Sequence, residues 1–306
     1  MVQHPFGDFA LFVGEEGAPP RPFEVWVNGA EQPRGLGALA KTLSMDLRTN
    51  DAAWLRLRLD ALATVAEERA FEMPFPPSGQ LRPFWGVVAA MAVVLRWRCK
   101  QLGALQTDGA TPVIDALFSL EEPRTGTSGT LAWAVEVDNP ASGETFTLTL
   151  KEVTLPTPEG GTVTRPCALG FSGNFPRVLD GLARVLSLDM RVVDPAWIGK
   201  KLRKLLNDAE PLGHFMAFVP GQRRQQTWPL TVAYLARLII HRYAMSGVPD
   251  EPGQPLQRMG VLDTPNSTVS TRPMAGKPCA ECGNATVIQK DGCDFCTSRG
   301  CVGQCS

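Results

Sequence analysis

Residues 36–54 read LGALAKTLSMDLRTNDAAW, and residues 179–197 read LDGLARVLSLDMRVVDPAW. The two stretches are identical at ten of 19 positions at a constant offset of 143 residues. The same offset carries Trp85 onto Trp228. Similarity at a fixed period indicates a repeated structural unit. The sequence therefore predicts a duplication, with the same module occurring twice along the chain.

Apolar residues inside these stretches recur at i, i+3, i+7 and i+11, which predicts an amphipathic helix in each copy. In the first copy these residues are Leu36, Leu39, Leu43 and Leu47. Asp51 and Asp194 follow and can cap a second helix, because an N-cap carboxylate accepts hydrogen bonds from the free N–H groups of the first turn. A third helix is expected after Trp85 and after Trp228, which gives about three helices in each copy.

Stretches of strand type precede the helices. One is residues 23–27, FEVWV. Residues 131–137, LAWAVEV, are predicted to pair with residues 145–150, TFTLTL, as a hairpin that turns at residues 139–143. Strands followed by helices, taken twice, predict an α+β architecture built from two tandem duplicated units.

The composition excludes several classes of protein. The chain has 306 residues, of which 44% are hydrophobic, so it can form a sizeable core. Its 30 Lys+Arg balance 31 Asp+Glu, which disfavours a surface built to coat nucleic acid. No apolar run approaches the ~18–20 residues of a membrane span, and the first residues do not resemble a secretory signal. We therefore expect a cytoplasmic protein without membrane segments.

Six of the eight cysteines fall in residues 279–306. Four of them form the pattern C-x2-C-x10-C-x2-C: Cys279, Cys282, Cys293 and Cys296. Two such pairs are typical of a tetrahedral thiolate zinc ribbon, and Gly283 allows the first turn to tighten. A segment of ~20 residues buries too little apolar surface to fold alone, so zinc would supply most of its folding energy.

Cys301 and Cys305 are left over near the end of the chain. Arg299 lies close in sequence, and a neighbouring guanidinium favours the reactive thiolate form. These two thiols are predicted to form a redox relay. The residues leave two other interpretations open, in which one thiol is a spare zinc ligand or both thiols are inert.

The predicted domains follow from these features. Residues 1–112 are the first α+β repeat, and residues 113–248 are the hairpin with the second repeat. Residues 249–278, rich in Pro, Gly, Ser and Thr, are a flexible linker. Residues 279–306 are the four-cysteine zinc ribbon with a flexible cysteine tail.

Other polar residues carry weaker signals. One polar trio recurs in both copies and is interpreted as a helix edge with a local ion pair, or else as a partner or ligand contact. The trio is Ser44, Asp46 and Arg48, repeated as Ser187, Asp189 and Arg191. The basic run at residues 200–204 and the pair Arg223-Arg224 are interpreted as solvated surface, with an anionic partner as the alternative. The three histidines form no metal-binding pattern.

Three stretches together suggest a family. Residues 39–48 (LAKTLSMDLR) and 182–191 (LARVLSLDMR) resemble the TSCPD-type domain found near the C-terminus of class II, adenosylcobalamin-dependent ribonucleotide reductases. Residues 278–305, with PCAECG, DGCDFCT and VGQC, resemble the cysteine-rich tail of those enzymes. The tail cysteines of that family re-reduce the active-site disulfide formed at each turnover. The resemblance implies this role for Cys301 and Cys305, or for Cys296 with Cys301.

The chain differs from that family in two respects. Arg299 precedes Gly300 where the family tail often has a cysteine, and Cys301 stands two places later. The catalytic barrel and the cobalamin site need several hundred residues that this chain does not contain. The resemblance thus implies an accessory subunit of a split ribonucleoside-diphosphate reductase, inactive alone, with a role in deoxyribonucleotide supply for DNA replication. Its partners would be a larger catalytic subunit that carries adenosylcobalamin and a thioredoxin-like reductant.

Two other functions are compatible with the sequence. One is a non-enzymatic zinc-ribbon regulator that binds nucleotide or nucleic acid through residues 200–224. Its binding would depend on salt and would not involve the terminal thiols. The other is a structural assembly factor that needs zinc but no thiol cycle.

Overall fold

The computed structural model describes residues 1–5, 7–29, 32–208, 210, 213–247, 249–251, 254–255, 274–300 and 302–305. These residues form a mixed α+β structure with seven helices and six small antiparallel sheets, which confirms the predicted class. Among them, none of the helices has the length and apolar composition needed to cross a bilayer. Most of the predicted linker at 249–278 lies outside the described residues.

The chain divides into two compact units. One is Met1–Asp115 with Phe175–Val185, and the other is Ala116–Asn174 with Leu186–Ser306. These bounds differ from the predicted division at residue 112, because Phe175–Val185 belongs to the first unit.

The elements of the first 115 residues alternate between hairpins and helices. In chain order they are β1 (Ala10–Glu16), β2 (Arg21–Asn28), α1 (Leu36–Leu47), α2 (Ala52–Ala63), β3 (Phe71–Phe75), β4 (Gln80–Phe84), α3 (Val87–Gln101) and α4 (Pro112–Asp115). As the sequence predicts, Asp51 caps α2, its carboxylate accepting a hydrogen bond from the Trp54 N–H at 2.8 Å. The apolar face of α1 is buried, with Leu36, Leu39 and Leu43 fully excluded from solvent.

The rest of the chain begins with a three-stranded sheet and ends with another. In chain order the elements are β5 (Ala132–Asn139), β6 (Glu144–Pro156), β7 (Thr162–Asn174), α5 (Val178–Met190), α6 (Pro195–Leu206), β8 (Phe215–Phe218), β9 (Gln225–Trp228), α7 (Thr231–Met245), β10 (Pro249–Glu251), β11 (Gln254–Pro255), β12 (Val287–Lys290), β13 (Cys293–Cys296) and β14 (Val302–Cys305). The predicted hairpin is present, because β5 pairs with β6 antiparallel. Asp194 caps α6 by accepting from the Ala196 N–H at 2.9 Å.

A buried carboxylate ties α1 to α2. Asp46 accepts a hydrogen bond from Trp54 Nε1 at 2.9 Å and pairs with Nη2 of Arg58 at 2.7 Å. Both charged side chains are completely buried. Arg58 Nη1 also donates to the carbonyl of Val185 at 2.5 Å. Removing one partner of a buried ion pair leaves an uncompensated charge, which costs about 3–5 kcal/mol, so the cluster is expected to tolerate no single truncation.

A matching carboxylate ties α5 to α6. Asp189 accepts from Trp197 Nε1 at 2.7 Å and from Lys201 Nζ at 2.7 Å. Lys201 is buried, whereas the sequence placed it in a solvated basic run. The difference arises because an ammonium held by a buried carboxylate can lie inside a helix interface.

Candidate metal centre

Three of the C-terminal cysteines belong to a small antiparallel sheet with the strand order β12-β13-β14: Cys293 and Cys296 in β13, and Cys305 in β14. The pairing of β12 with β13 is regular, with Val287 opposite Cys296 and Lys290 opposite Cys293. Before β12, the chain passes through a turn that carries Cys279 and Cys282. The sheet and this turn bring together the sulfurs of Cys279, Cys282 and Cys296.

The first turn runs from Cys279 to Gly283. The Gly283 N–H donates to the Cys279 carbonyl at 2.8 Å, and the Cys279 N–H donates to the Asn284 carbonyl at 2.9 Å. Gly283 has a φ of +71°, a backbone conformation that residues with a Cβ rarely adopt. The predicted role of this glycine in tightening the turn is therefore visible in the backbone.

The second turn runs from Cys296 to Gly300 and has the same backbone arrangement. The Gly300 N–H donates to the Cys296 carbonyl at 2.8 Å, and Gly300 has a φ of +70°. Cys296 corresponds in this arrangement to Cys279. The position that corresponds to Cys282 holds Arg299.

Three sulfurs converge between the two turns. The Sγ atoms of Cys279, Cys282 and Cys296 all lie within 4.8 Å of one another, and those of Cys282 and Cys296 are 3.7 Å apart. Thiolates on a tetrahedral zinc ion at about 2.3 Å are separated by about 3.8 Å, so the spacing suits such an ion. This group can hold a metal ion such as zinc.

The surroundings of the group favour a thiolate at one sulfur. Burial alone would raise the pKa of Cys279, but backbone N–H groups of Cys282 and Glu281 and the thiols of Cys296 and Cys282 lower this pKa to about 7. Burial raises the pKa of Cys282. Metal ligation needs deprotonated thiols, so the turn favours the required form at Cys279.

Two buried hydroxyl groups support the third sulfur, and the sequence patterns do not identify them. Thr286 Oγ1 lies 3.5 Å from Cys296 Sγ and 2.7 Å from Ser298 Oγ. Both residues are almost fully buried. Hydrogen-bonding groups next to metal ligands orient them, and Thr286 is in this position relative to Cys296.

Cys293, the fourth predicted ligand, is not part of the group. It is disulfide-bonded and partly buried. Successive side chains of a strand alternate between its faces, so Cys293 and Cys296, three residues apart in β13, point to opposite sides. A C-x2-C spacing forms a metal-binding knuckle in a turn, and here it lies in a strand. The structure thus brings together three of the four predicted ligands.

One of the two predicted redox cysteines, Cys305, belongs to β14 at the edge of this sheet. Cys301 lies outside the described residues, as does the side chain of Cys305. The backbone of Cys305 lies opposite Cys293 across β13 and β14. Residues 302–305 therefore form a paired strand, where the sequence predicts a flexible tail. Cys296, the alternate redox residue, belongs to the three-sulfur group.

The sheet is anchored to the body of the second unit. The Ala285 N–H donates to the Phe118 carbonyl at 3.0 Å, and Thr297 Oγ1 donates to the Thr154 carbonyl at 3.0 Å. This packing supplies hydrogen-bonding contacts that a 20-residue segment lacks by itself. No sequence pattern indicates the anchoring, because the contacts use backbone carbonyls.

The two isolated cysteines take no part in this chemistry. Burial raises the pKa of Cys99 and of Cys167 to about 12. Both are free thiols in the apolar core. They behave as small core residues, since a buried neutral thiol is inert.

The repeated polar trio is explained by packing. Ser44 Oγ accepts from the Val25 N–H at 2.9 Å, and Ser187 Oγ accepts from the Leu169 N–H at 2.9 Å, so both serines tie a helix to a strand. Arg191 Nη1 donates to the Leu120 carbonyl at 3.0 Å. These contacts lie within the fold, whereas Arg48 is half-exposed beside Glu24.

The chain matches no protein-family model, and comparison with curated proteins and with solved structures found no relative.

Proposed function

We propose that this chain is the accessory subunit of a split adenosylcobalamin-dependent ribonucleotide reductase, to which it supplies thiols that re-reduce the active-site disulfide. The observation that carries the proposal is the division of the C-terminal cysteines into two chemical sets. Cys279, Cys282 and Cys296 form a compact group suited to zinc, and Cys293 of the same sheet is disulfide-bonded. A structural metal next to exchangeable thiols is the arrangement that the resemblance to the reductase tail implies.

The redox step would use thiols outside the metal group. One tail thiolate attacks the active-site disulfide of the large subunit and forms a mixed disulfide, and a second tail thiol then displaces the active-site sulfur. Two electrons and two protons pass to the active-site cysteines, and the tail is left as a disulfide. A thioredoxin-like dithiol reduces that disulfide again. Cys301 and Cys305 are the proposed pair, and Cys293 is a third candidate because it already takes part in a disulfide.

Zinc would hold the two turns of the ribbon together through its thiolate ligands. Its folding energy would keep β12, β13 and β14 paired, so that the redox thiols stay on an ordered support. Adenosylcobalamin would be bound by the partner chain and not by this one.

We propose further that the body of the chain arose by duplication and serves to dock on the large subunit. The duplication is supported by matched contacts at the offset of 143: Asp46 with Trp54 and Arg58, and Asp189 with Trp197 and Lys201. The docking role is what the resemblance to an accessory subunit implies. A buried carboxylate that takes an indole N–H and a cation is an uncommon cluster. Its recurrence at equal spacing is hard to explain by independent origin.

The regulator alternative has less support from the charges. It relies on the basic residues between 200 and 224, from which the burial of Lys201 removes one cation. The remaining charges of residues 200–204 lie on a single helix, α6. No observation of the described residues favours nucleic acid as the partner.

The function is tested by reconstitution. The large subunit is first isolated as the cobalamin-binding protein that this chain captures from cell extract. The two chains are then mixed with adenosylcobalamin, ribonucleotide and a thioredoxin system, and the deoxyribonucleotide formed over many turnovers is measured. Cys301→Ser and Cys305→Ser are expected to limit the yield to that of a single turnover, because the active-site disulfide is then not reduced again.

The matched control is Cys99→Ala, which removes a thiol that is buried in the first unit. This variant should keep the multiple-turnover yield. Full yield from the Cys301→Ser and Cys305→Ser chains, with thioredoxin as the reductant, would rule out the proposed thiol relay.

A further inference from the structure

The two turns of the metal centre offer an unequal number of ligands. Cys279 and Cys282 both belong to the first turn, and each contributes a sulfur to the group. The second turn has the same glycine conformation and the same closing hydrogen bond, but only Cys296 contributes a sulfur. The fourth ligand of a symmetric pair of turns would come from residue 299.

Arg299 occupies that place and cannot act as a ligand. A guanidinium stays protonated in proteins and offers no lone pair to a metal. Its Nη1 donates to the Glu281 carbonyl at 3.2 Å and lies 3.6 Å from the Glu281 carboxylate. Arg299 is thus held against Glu281 of the first turn.

Among the described residues, the potential metal-ligating group at this site comprises three thiols and has no fourth member. The closest hydroxyl, Thr286 Oγ1, is engaged with Ser298 Oγ at 2.7 Å. Cys293 lies on the other face of β13 and is disulfide-bonded.

We infer that a zinc ion bound by Cys279, Cys282 and Cys296 keeps its fourth coordination position open to a thiolate carried by another molecule. Zinc sites with three protein ligands take an external ligand in the fourth position. Soft thiolate ligands suit zinc, so an external thiolate is the ligand that this group of three thiols favours. The inference rests on the metal-binding part of the proposed function and not on the reductase assignment.

The test uses cobalt as a spectroscopic substitute for zinc in the full-length chain. A variant with Cys293→Ser, Cys301→Ser and Cys305→Ser keeps the three thiols of the site and removes the other three thiols of the C-terminal segment. Co²⁺ is added, and the visible and charge-transfer absorption is recorded while 2-mercaptoethanol is titrated. We expect a saturable increase in the thiolate-to-cobalt band, because the added thiol becomes the fourth ligand.

Arg299→Cys on the same background is the matched control. It should show the four-thiolate spectrum without added thiol and no response to 2-mercaptoethanol. An unchanged spectrum of the triple variant on titration would overturn the inference. So would a four-thiolate spectrum of the reduced natural chain that is lost in Cys301→Ser, since the fourth ligand would then be internal. Absence of any cobalt binding would overturn both this inference and the metal site, while leaving the reconstitution assay to test the reductase assignment.

Discussion

The turn at Cys279–Gly283 and the turn at Cys296–Gly300 have the same backbone conformation but offer different numbers of metal-ligating side chains. Both close with a glycine N–H bonded to a cysteine carbonyl at 2.8 Å, and both glycines have φ near +70°. The first carries two cysteines and the second carries one, with Arg299 in the remaining place. In this chain, a glycine four residues after a cysteine marks both turns, whereas the C-x2-C spacing marks only the first of them.

The largest effect is expected from removing one of the three thiols of the metal-binding group. Cys279→Ser, Cys282→Ser and Cys296→Ser should each abolish stoichiometric zinc binding and the hydrogen-exchange protection of β12 and β13. Structural zinc contributes about 10–16 kcal/mol to small zinc-binding peptides, so the sheet cannot stay ordered without it. Zinc content by atomic absorption and exchange by mass spectrometry measure the two effects.

The body of the chain serves as an internal control for these variants. Its core does not depend on the metal, so peptides from α1 and α7 should keep their protection. Loss of protection across the whole chain would mean that the variants unfold globally and would leave the ligand assignment without support.

Zinc affinity should rise when the second turn is given the second cysteine that the first turn has. Arg299→Cys is expected to raise zinc affinity by at least about tenfold, roughly 1.4 kcal/mol, because it completes a four-thiolate set. Competition with a chromogenic chelator measures the affinity. Arg299→Ser removes the guanidinium without adding a ligand, and an equal gain in that variant would contradict the explanation.

The pH dependence of alkylation separates the thiols of the first turn from those of the core. In the metal-free reduced chain, the reaction of Cys279 with iodoacetamide should rise through about pH 7, since its pKa is lowered to that value. Cys99 and Cys167 should stay unreactive at pH 9, because burial raises both pKa values to about 12. A thiolate with a lowered pKa stabilises the fold above the unfolded pKa and loses this contribution as the pH falls through about 7.

Peptide mapping after timed alkylation gives the midpoint for each cysteine. Cys282 is the matched comparison, since burial raises its pKa and its midpoint should lie higher than that of Cys279. Coincident midpoints for the two thiols of the first turn would contradict the hydrogen-bond explanation.

The smallest effect is expected at the surface contact between the two turns. Glu281→Gln removes a partly exposed ion pair with Arg299, and such pairs contribute about 0–1 kcal/mol. Zinc affinity should therefore change by less than about fivefold. A larger loss in the chelator competition would indicate that the carboxylate takes part in metal binding.

The sequence predicts the parts of the fold that depend on local pattern. The helix periodicity, the caps at Asp51 and Asp194 and the β5–β6 hairpin are all present. The burial of Lys201 could not be predicted from its basic neighbours, because it depends on Asp189, twelve residues away on another helix.

The metal centre could likewise be predicted from the sequence only where local pattern determines it. Cys279 and Cys282 could be assigned from spacing, because their turn is closed by the adjacent Gly283. Cys293 could not be excluded, since the spacing to Cys296 does not reveal that the segment is a strand with alternating faces. The second turn carried a sequence signal in Gly300, but only its φ and its hydrogen bond show that it matches the first.

The most direct test of the account is the zinc content of two full-length variants, Cys293→Ser and Cys296→Ser, purified under reducing conditions. Cys293→Ser is expected to retain a single zinc ion per chain, and Cys296→Ser is expected to retain none. Loss of zinc in Cys293→Ser, with retention in Cys296→Ser, would contradict the division of the C-terminal cysteines into a metal-binding group and a redox group.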